Sequence, residues 1–365
     1  MIFNKLSKSD SLILKGMAIL CIALHNFLHR FPMPKENEMT FDAEVFTNYL
    51  FLLINQPDSI YRATFSFFGH FGVQVFIFLS AYGLAKSSSN KNINFIRFLT
   101  RRVAKIYPAF LLAISFYVFY MLAGIIFIGD GDVVGFLHRI YKPLLLKLTL
   151  LWNFYPGQGF SLVGPWWFLS MIFQFYLIFL LILRLQARFG DITLILISLI
   201  ALLIAFISDT SIYGVSIYFT VVGHLPVLCL GIYLSKFDNI KINNYWFIGS
   251  IIMFLLGNVF AGFFIFSHIS AFIIIMFISN KLLPIIRSKN KLYKFFIFYG
   301  SLSMPIFLIN GFLRIPLEGI AHRYDNELIT IFLSFVFITF VTAVALIFDK
   351  INSYIDNLGS GRFPH

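Results

Sequence analysis

Residues 15–30 read KGMAILCIALHNFLHR. The run is apolar for most of its length, opens on Lys15 and closes on His25, His29 and Arg30. A membrane span takes about 20 apolar residues, and hydrocarbon leaves no partner for an open backbone. The stretch is therefore predicted to be a spanning helix that turns its ionisable groups away from lipid. Each helical residue turns about 100° and rises about 1.5 Å, so Lys15 and His25 stand about 15 Å apart along the axis. Lys15, His25, Asn26 and His29 then share an arc of about 100°, one polar stripe along the helix. Lys15 suits the interface, where a lysine snorkels. His25 lies deeper, where an ionisable group is either satisfied by a neighbouring helix or functional. An imidazole is the side chain best suited to accept a proton near neutral pH. His29, beside Arg30 and Pro32, reads as interfacial and is the alternative base.

The same character runs through the whole chain. Its 365 residues are 59% hydrophobic and 12% charged, with mean hydropathy +0.86. A soluble domain is about half apolar and a quarter charged, so the chain reads as a polytopic membrane protein. A net charge of +12 would raise nucleic acid for a soluble protein. Here Lys and Arg gathering on cytoplasmic loops explains it, and no nucleic-acid partner is expected. Cys21 and Cys229 sit in apolar runs and read as packing residues, with no disulfide and no metal implied. The first apolar stretch has no small-residue cleavage site and reads as a retained anchor.

Segments near 11–30, 65–85, 104–128, 164–183, 191–208, 215–234, 245–265, 268–283, 295–313 and 328–348 are long and apolar enough to count as spans, about ten in all. The alternation of a barrel strand is absent. With the N-terminus inside, only Arg30, Lys35, Arg62, Arg139, Lys142, Lys147, Arg314 and Arg323 of the 28 Lys and Arg fall outside. That asymmetry predicts both termini in the cytoplasm and an even number of spans in the inner membrane. The expected fold is all-α: one transmembrane bundle over 1–350 with a short cytoplasmic tail, 351–365. Two outer segments are long. One, 31–64, carries Glu36, Glu38, Asp42, Glu44 and Asp58. The other, 129–163, includes HRIYKPLLLKLTLLW (138–152), too interrupted by charge to span comfortably, and is predicted to be an interfacial or re-entrant helix; an extra span over 136–155 is the alternative.

Arg101, Arg102 and Lys105 cluster at the inner mouth of the third span, with Arg102 and Lys105 on one helix face. Such a cluster is either ordinary inside charge or a phosphate site, since guanidinium donors match phosphate oxygens. A coenzyme A thioester would supply the phosphates.

Several stretches carry a resemblance in order: KGMAILCIALHN (15–26), FGVQVFIFLSAYGLA (71–85), FLTRRVAKIYP (98–108), WWFLSMIFQFYLI (166–178), LPVLCLGIYL (225–234) and GSLSMPIFLIN (300–310). Together they resemble the membrane-bound acyltransferase-3 family, integral membrane enzymes that O-acylate surface glycans and other extracytoplasmic acceptors. The resemblance implies a bundle of about ten helices and an acetyl-CoA donor, with a polysaccharide or other cell-envelope acceptor. It also implies a basic residue at the start of the first span, matched by Lys15, and a histidine about three turns later. Asn26 holds the family's usual histidine position and His25 precedes it, so the role of general base passes to His25 with Asn26 as polar neighbour. The family's Arg-x-x-Arg, aliphatic, aromatic, proline signature is matched by Arg102, Lys105, Ile106, Tyr107 and Pro108. Lysine in place of the second arginine loses the bidentate fork. With Arg101, these are the implied acyl-CoA contacts.

A third motif is matched by Trp167, Leu169, Ser170, Gln174, Phe175 and Tyr176, but Ile172 stands where relatives carry glutamate. Gln74 stands where many carry aspartate, and Asn310 where many carry histidine. Ser80, Tyr82, Trp167, Ser170, Gln174 and Asn310 are the implied path or oxyanion residues. Two other readings stay open. One is an exporter of a glycan or lipid-linked intermediate; the other is a degenerate family member, motivated by the missing glutamate.

Overall fold

The computed structural model describes residues 2–31, 36–88, 93–129, 131–241, 243–324 and 326–359. Lys35, Lys91 and Arg362, which enter the charge balance, lie outside the described residues, as does 360–365 of the expected tail. The helices are α1 (Lys8–Leu28), α2 (Ala43–Asn55), α3 (Ile60–Phe68), α4 (Gly72–Ser88), α5 (Phe95–Phe127), α6 (Val133–Leu148), α7 (Trp167–Phe189) and α8 (Ile192–Ile207). They continue with α9 (Leu225–Leu234), α10 (Asn244–Val259), α11 (Ala261–Phe264), α12 (Ser267–Ser288), α13 (Asn290–Ser301), α14 (Ser303–Leu313), α15 (Ile315–Tyr324) and α16 (Glu327–Gly359). The last helix continues past position 350 without a break.

Helix α1 starts where its sequence says it should. Ser7 caps it, accepting from the Asp10 amide at 3.0 Å, while Asp10 accepts from the Ser7 amide at 2.9 Å. This reciprocal box satisfies two of the backbone donors a helix start leaves open. Asp10 is then held by Arg287 of α12 at 2.8 Å. Helix α1 packs against α13, α4, α14, α3 and α16 and so forms the axis of the bundle. Its closest crossing is with α13: a Cβ on Gly16 would overlap the Phe296 carbonyl, so only glycine allows the two backbones to touch. The outer helices carry the lipid-facing surface. Phe119, Ile126 and Phe127 of α5, with Ile195, Leu199, Leu203 and Phe206 of α8, are exposed and apolar, the surface a bilayer covers.

Among the described residues, six helical stretches are long and apolar enough to cross a membrane: Lys8–Leu28, Pro57–Ser88, Phe95–Phe127, Gly164–Phe189, Ser267–Ser288 and Glu327–Ile355. The pair α13–α14, bent by 71°, would make a seventh. The other expected spans are shorter apolar helices: Ile192–Ile207, Val222–Leu234 and Asn244–Val259. Their truncation has local causes. After α8 the chain makes a small hairpin, Ser211–Ile212 with Val215–Ser216, next to Asp209, Thr210 and Tyr213 at positive φ. After α10 it breaks at Phe260, which is extended. The 129–163 segment holds the charge-interrupted helix α6, which is not among the stretches of span length.

Ion pairs sort the loops into two ends. Lys5–Asp238, Lys236–Asp191 and Arg287–Asp10 join segments expected on the inner side. Strand Ile2–Asn4 also pairs with Asn239–Lys241 at that end. Arg62–Glu327, His29–Glu36 and Arg30–Glu318 join segments expected on the outer side.

Candidate active site

Among the described residues, α1 lines two cavities that hold expected site residues. The first, about 330 Å³, is lined by Lys15, Ser80, Ser87, Arg102, Lys105, Ile172, Tyr176, Ser303 and Phe307 among others. Among the described residues, three cations line it and no carboxylate does. The Arg102 guanidinium lies over the rings of Phe98 (5.4 Å) and Tyr176 (5.9 Å), contacts that fix a planar cation. Its buried Nε has no hydrogen-bond partner among the described residues. An orphaned guanidinium donor in a basic pocket suits an anion.

The second cavity, about 340 Å³, is lined by His25, Asn26, His29, Arg30, Glu38, His70, Trp167, Phe307 and Arg314 among others. Lys15 and His25 thus open from one helix into two different cavities.

His25 is buried at 5% exposure. Its Nδ1 lies 2.8 Å from the Ser66 carbonyl oxygen. A carbonyl only accepts, so Nδ1 carries the proton and Nε2 offers its lone pair. Nε2 faces Glu36 Oε1 at 3.7 Å. The other oxygen, Oε2, accepts from His29 Nδ1 at 2.8 Å. This arrangement rests on a close approach: a Cβ on Gly69 would come within 2.6 Å of both the Cys21 carbonyl and the His25 Cβ. Glycine there lets the junction of α3 and α4 lean on α1 and bring the Ser66 carbonyl to the ring.

The two loop glutamates differ. Burial pushes the Glu36 carboxyl up, but the positive charge that His25 carries when protonated and the hydrogen bond from His29 outweigh it, and its pKa is net lowered. Glu38 is pushed well above the ordinary carboxylate value by burial and then by the Glu36 charge. The two carboxyls are thus shifted in opposite directions, and Glu38 stands on the cavity wall. Split pairs of this kind divide proton acceptor from proton donor. Arg314 ties the outer end together: it donates to the Asn26 carbonyl and pairs with Glu318 at 2.9 Å. Burial lowers its pKa to about 10, still a cation at neutral pH. His70, with its ring 5.4 Å from His25, has neither nitrogen bonded among the described residues.

The expected site residues divide accordingly. Lys15, Arg102, Lys105 and Ser80 meet in the first cavity; His25, Asn26, His29 and Trp167 meet in the second. Arg101 is exposed and lines neither. Tyr107 donates to the Leu148 carbonyl, tying α5 to α6, because its position on the helix points away from the basic pocket. Tyr82 accepts from the Leu6 amide at 3.2 Å and anchors the N-terminal segment. Ser170 and Gln174 hold loops: Asn153 N–H reaches Ser170 Oγ at 3.4 Å, and Val221 N–H reaches Gln174 Oε1 at 3.0 Å. Asn310 is fully buried and accepts from Asn26 Nδ2 at 2.7 Å. Glu36, Glu38, His70, Arg314 and Phe307 had no role in the sequence reading. The one signal for Glu36 was its place seven residues after His29, in a loop that can fold back over the end of α1.

His25, His29 and Glu36 also present ligand atoms within 4.8 Å of one another, close enough for a metal ion. The imidazole donors and a carboxylate are suitable ligands. The neighbouring Arg30 and Arg314 oppose a further cation, and the His29–Glu36 hydrogen bond already accounts for the approach.

The sequence profile of a family described as an acyltransferase domain matches residues 12–348. No curated protein and no solved structure matches the chain.

Proposed function

This chain belongs to the acyltransferase-3 family, and from that premise we propose that it moves an acetyl or other short acyl group from cytoplasmic acyl-CoA to a hydroxyl of an extracytoplasmic glycan or glycolipid. The family and the apolar helices make it a multi-pass membrane acyltransferase. The finer reading adds donor, acceptor, inner-membrane location and base. The observation that carries it is the pair of cavities on one helix, basic at Lys15 and histidine-bearing at His25.

In this reading Arg102, Lys105 and Lys15 face the phosphates of the nucleotide, and the pantetheine arm extends along α1. His25 Nε2 removes the proton of the acceptor hydroxyl, whose oxygen bonds to the acyl carbon as the carbon–sulfur bond breaks. The thiolate leaves and is protonated to free coenzyme A. Glu36, 3.7 Å from Nε2, stabilises the imidazolium that forms. It supplies a carboxylate that the motif position, Ile172, lacks. Glu38, on the wall of the same cavity, is the candidate donor to the acceptor or to the developing oxyanion. Trp167, stacked on His224 at 5.5 Å, offers the flat apolar face on which a sugar ring packs.

The test compares wild type with His25→Ala at matched protein level, measuring O-acetyl content of surface glycans. Loss of the ester is expected; unchanged content overturns His25 as base. Acetyl-CoA should protect the purified wild type against thermal unfolding, and absence of protection overturns the donor assignment. The exporter reading draws on the 71° break between α13 and α14, since broken helices line transport sites.

A further inference from the structure

Phe307 of α14 lines both cavities. Its side of the wall is apolar: the ring is buried and meets Phe168 edge-on, 5.4 Å between centroids at 70°. Phe168 lines the Lys15 cavity, and its neighbour Trp167 lines the His25 cavity. The partition is therefore thin, formed where two aromatic rings cross. It is also tied to the base helix. Asn310 donates to the carbonyls of Ile306 (2.8 Å) and Phe307 (2.9 Å) and accepts from Asn26, the residue after His25. Movement of α1 at Asn26 thus reaches the backbone of Phe307 through one side chain.

We infer that Phe307, backed by Phe168, is the gate between the donor and acceptor cavities, closed until an acceptor is seated. The inference rests on the acyl-transfer reading for its purpose, but the barrier itself is testable without it. A closed ring keeps water of the acceptor side from the thioester. Removing it lets water attack: the water oxygen bonds to the acyl carbon, the carbon–sulfur bond breaks, and a water proton ends on the thiolate. The products are the free acid and coenzyme A, and acyl transfer becomes uncoupled from the acceptor.

The experiment uses the full chain in vesicles of defined orientation, with Cys21→Ser and Cys229→Ser as background and Ser80→Cys as a reporter in the Lys15 cavity. A membrane-impermeant thiol reagent is added from each face in turn. With Phe307 intact, labelling is expected from the Lys15 face alone. Phe307→Ala should add labelling from the His25 face, and Phe307→Trp should not. Phe307→Leu, which keeps most of the volume, carries the test if the alanine variant fails to accumulate and should label at an intermediate rate. Labelling from both faces with Phe307 intact, or unchanged labelling in Phe307→Ala and Phe307→Leu, overturns the gate. Acyl-CoA hydrolysis without acceptor is then measured on the same variants; an increase of about tenfold in Phe307→Ala is expected from losing water exclusion. Opened labelling with no hydrolysis upholds the barrier and overturns the acyl-CoA reading instead.

Discussion

The Nδ1 of His25 stands 2.8 Å from the carbonyl oxygen of Ser66, and this contact fixes which nitrogen faces the cavity. It predicts that folding and activity separate in an amide substitution at this position. His25→Asn places an amide nitrogen near the Nδ1 position and keeps a donor for Ser66, yet offers nothing at Nε2. It should fold with a melting temperature close to wild type and lose transfer by about 10²–10⁴-fold, the usual contribution of a general base. Thermal unfolding and an ester-forming assay on the same preparation check both halves. Retained activity would move the base to His29.

In the proposed mechanism Glu36 supports the His25 imidazolium and does not bind the acceptor. Glu36→Gln keeps the shape and an acceptor oxygen for His29 but removes the charge. A fall of about 10–100-fold in kcat with little change in the acceptor KM is expected. Steady-state kinetics against acceptor concentration separates this from a binding role, in which KM would rise instead.

Arg102 and Arg101 are adjacent in sequence and differ in placement. Arg102→Ala should abolish thermal protection by acetyl-CoA, with Arg102→Lys retaining part of it because the charge survives without the fork. Arg101→Ala should bind as wild type, since its side chain lines neither cavity. A thermal-shift titration over the three variants tests the ranking; equal losses at 101 and 102 would mean a diffuse basic surface.

Lys147, at the end of α6, is fully buried. Its Nζ lies 4.3 Å from the centre of the Trp152 ring and donates to the Gln158 carbonyl at 3.2 Å. Burial lowers its pKa from 10.5 to about 6. The unfolded chain then binds more protons than the folded one between these values, so this residue makes stability rise with pH across that window and be lowest below it. Lys147→Met should raise the melting temperature by about 2–4 °C near pH 6, with the gain shrinking as pH rises toward 10. Melting curves of both proteins over pH 6–9 check the sign.

Local pattern made much of this protein legible. The apolar runs located a helix for each expected span, because hydrocarbon enforces helices and length marks them. Lys15 and His25 were placed on one face by helical geometry alone, and Arg102 with Lys105 by their spacing of three. What failed was the length of three spans: α8 ends and α9 begins on either side of a hairpin, and α10 ends at an extended Phe260, none of which hydropathy registers. Motif position did not register that Tyr107, Tyr82, Ser170 and Gln174 make hydrogen bonds to distant backbone groups.

The sequence by itself determined the membrane class, the helices and the polar stripe, since these follow from composition and a period of 3.6 residues. Tertiary structure alone decided the site. The Ser66 carbonyl lies 41 residues from His25 and Asn310 lies 284 residues from Asn26. Glu36, beyond the end of α1, meets both imidazoles. The wall at Phe307 exists only because α14 crosses α1 and α7 there. Such contacts join residues with no local relationship, and only packing of the whole bundle brings them within hydrogen-bond or van der Waals range.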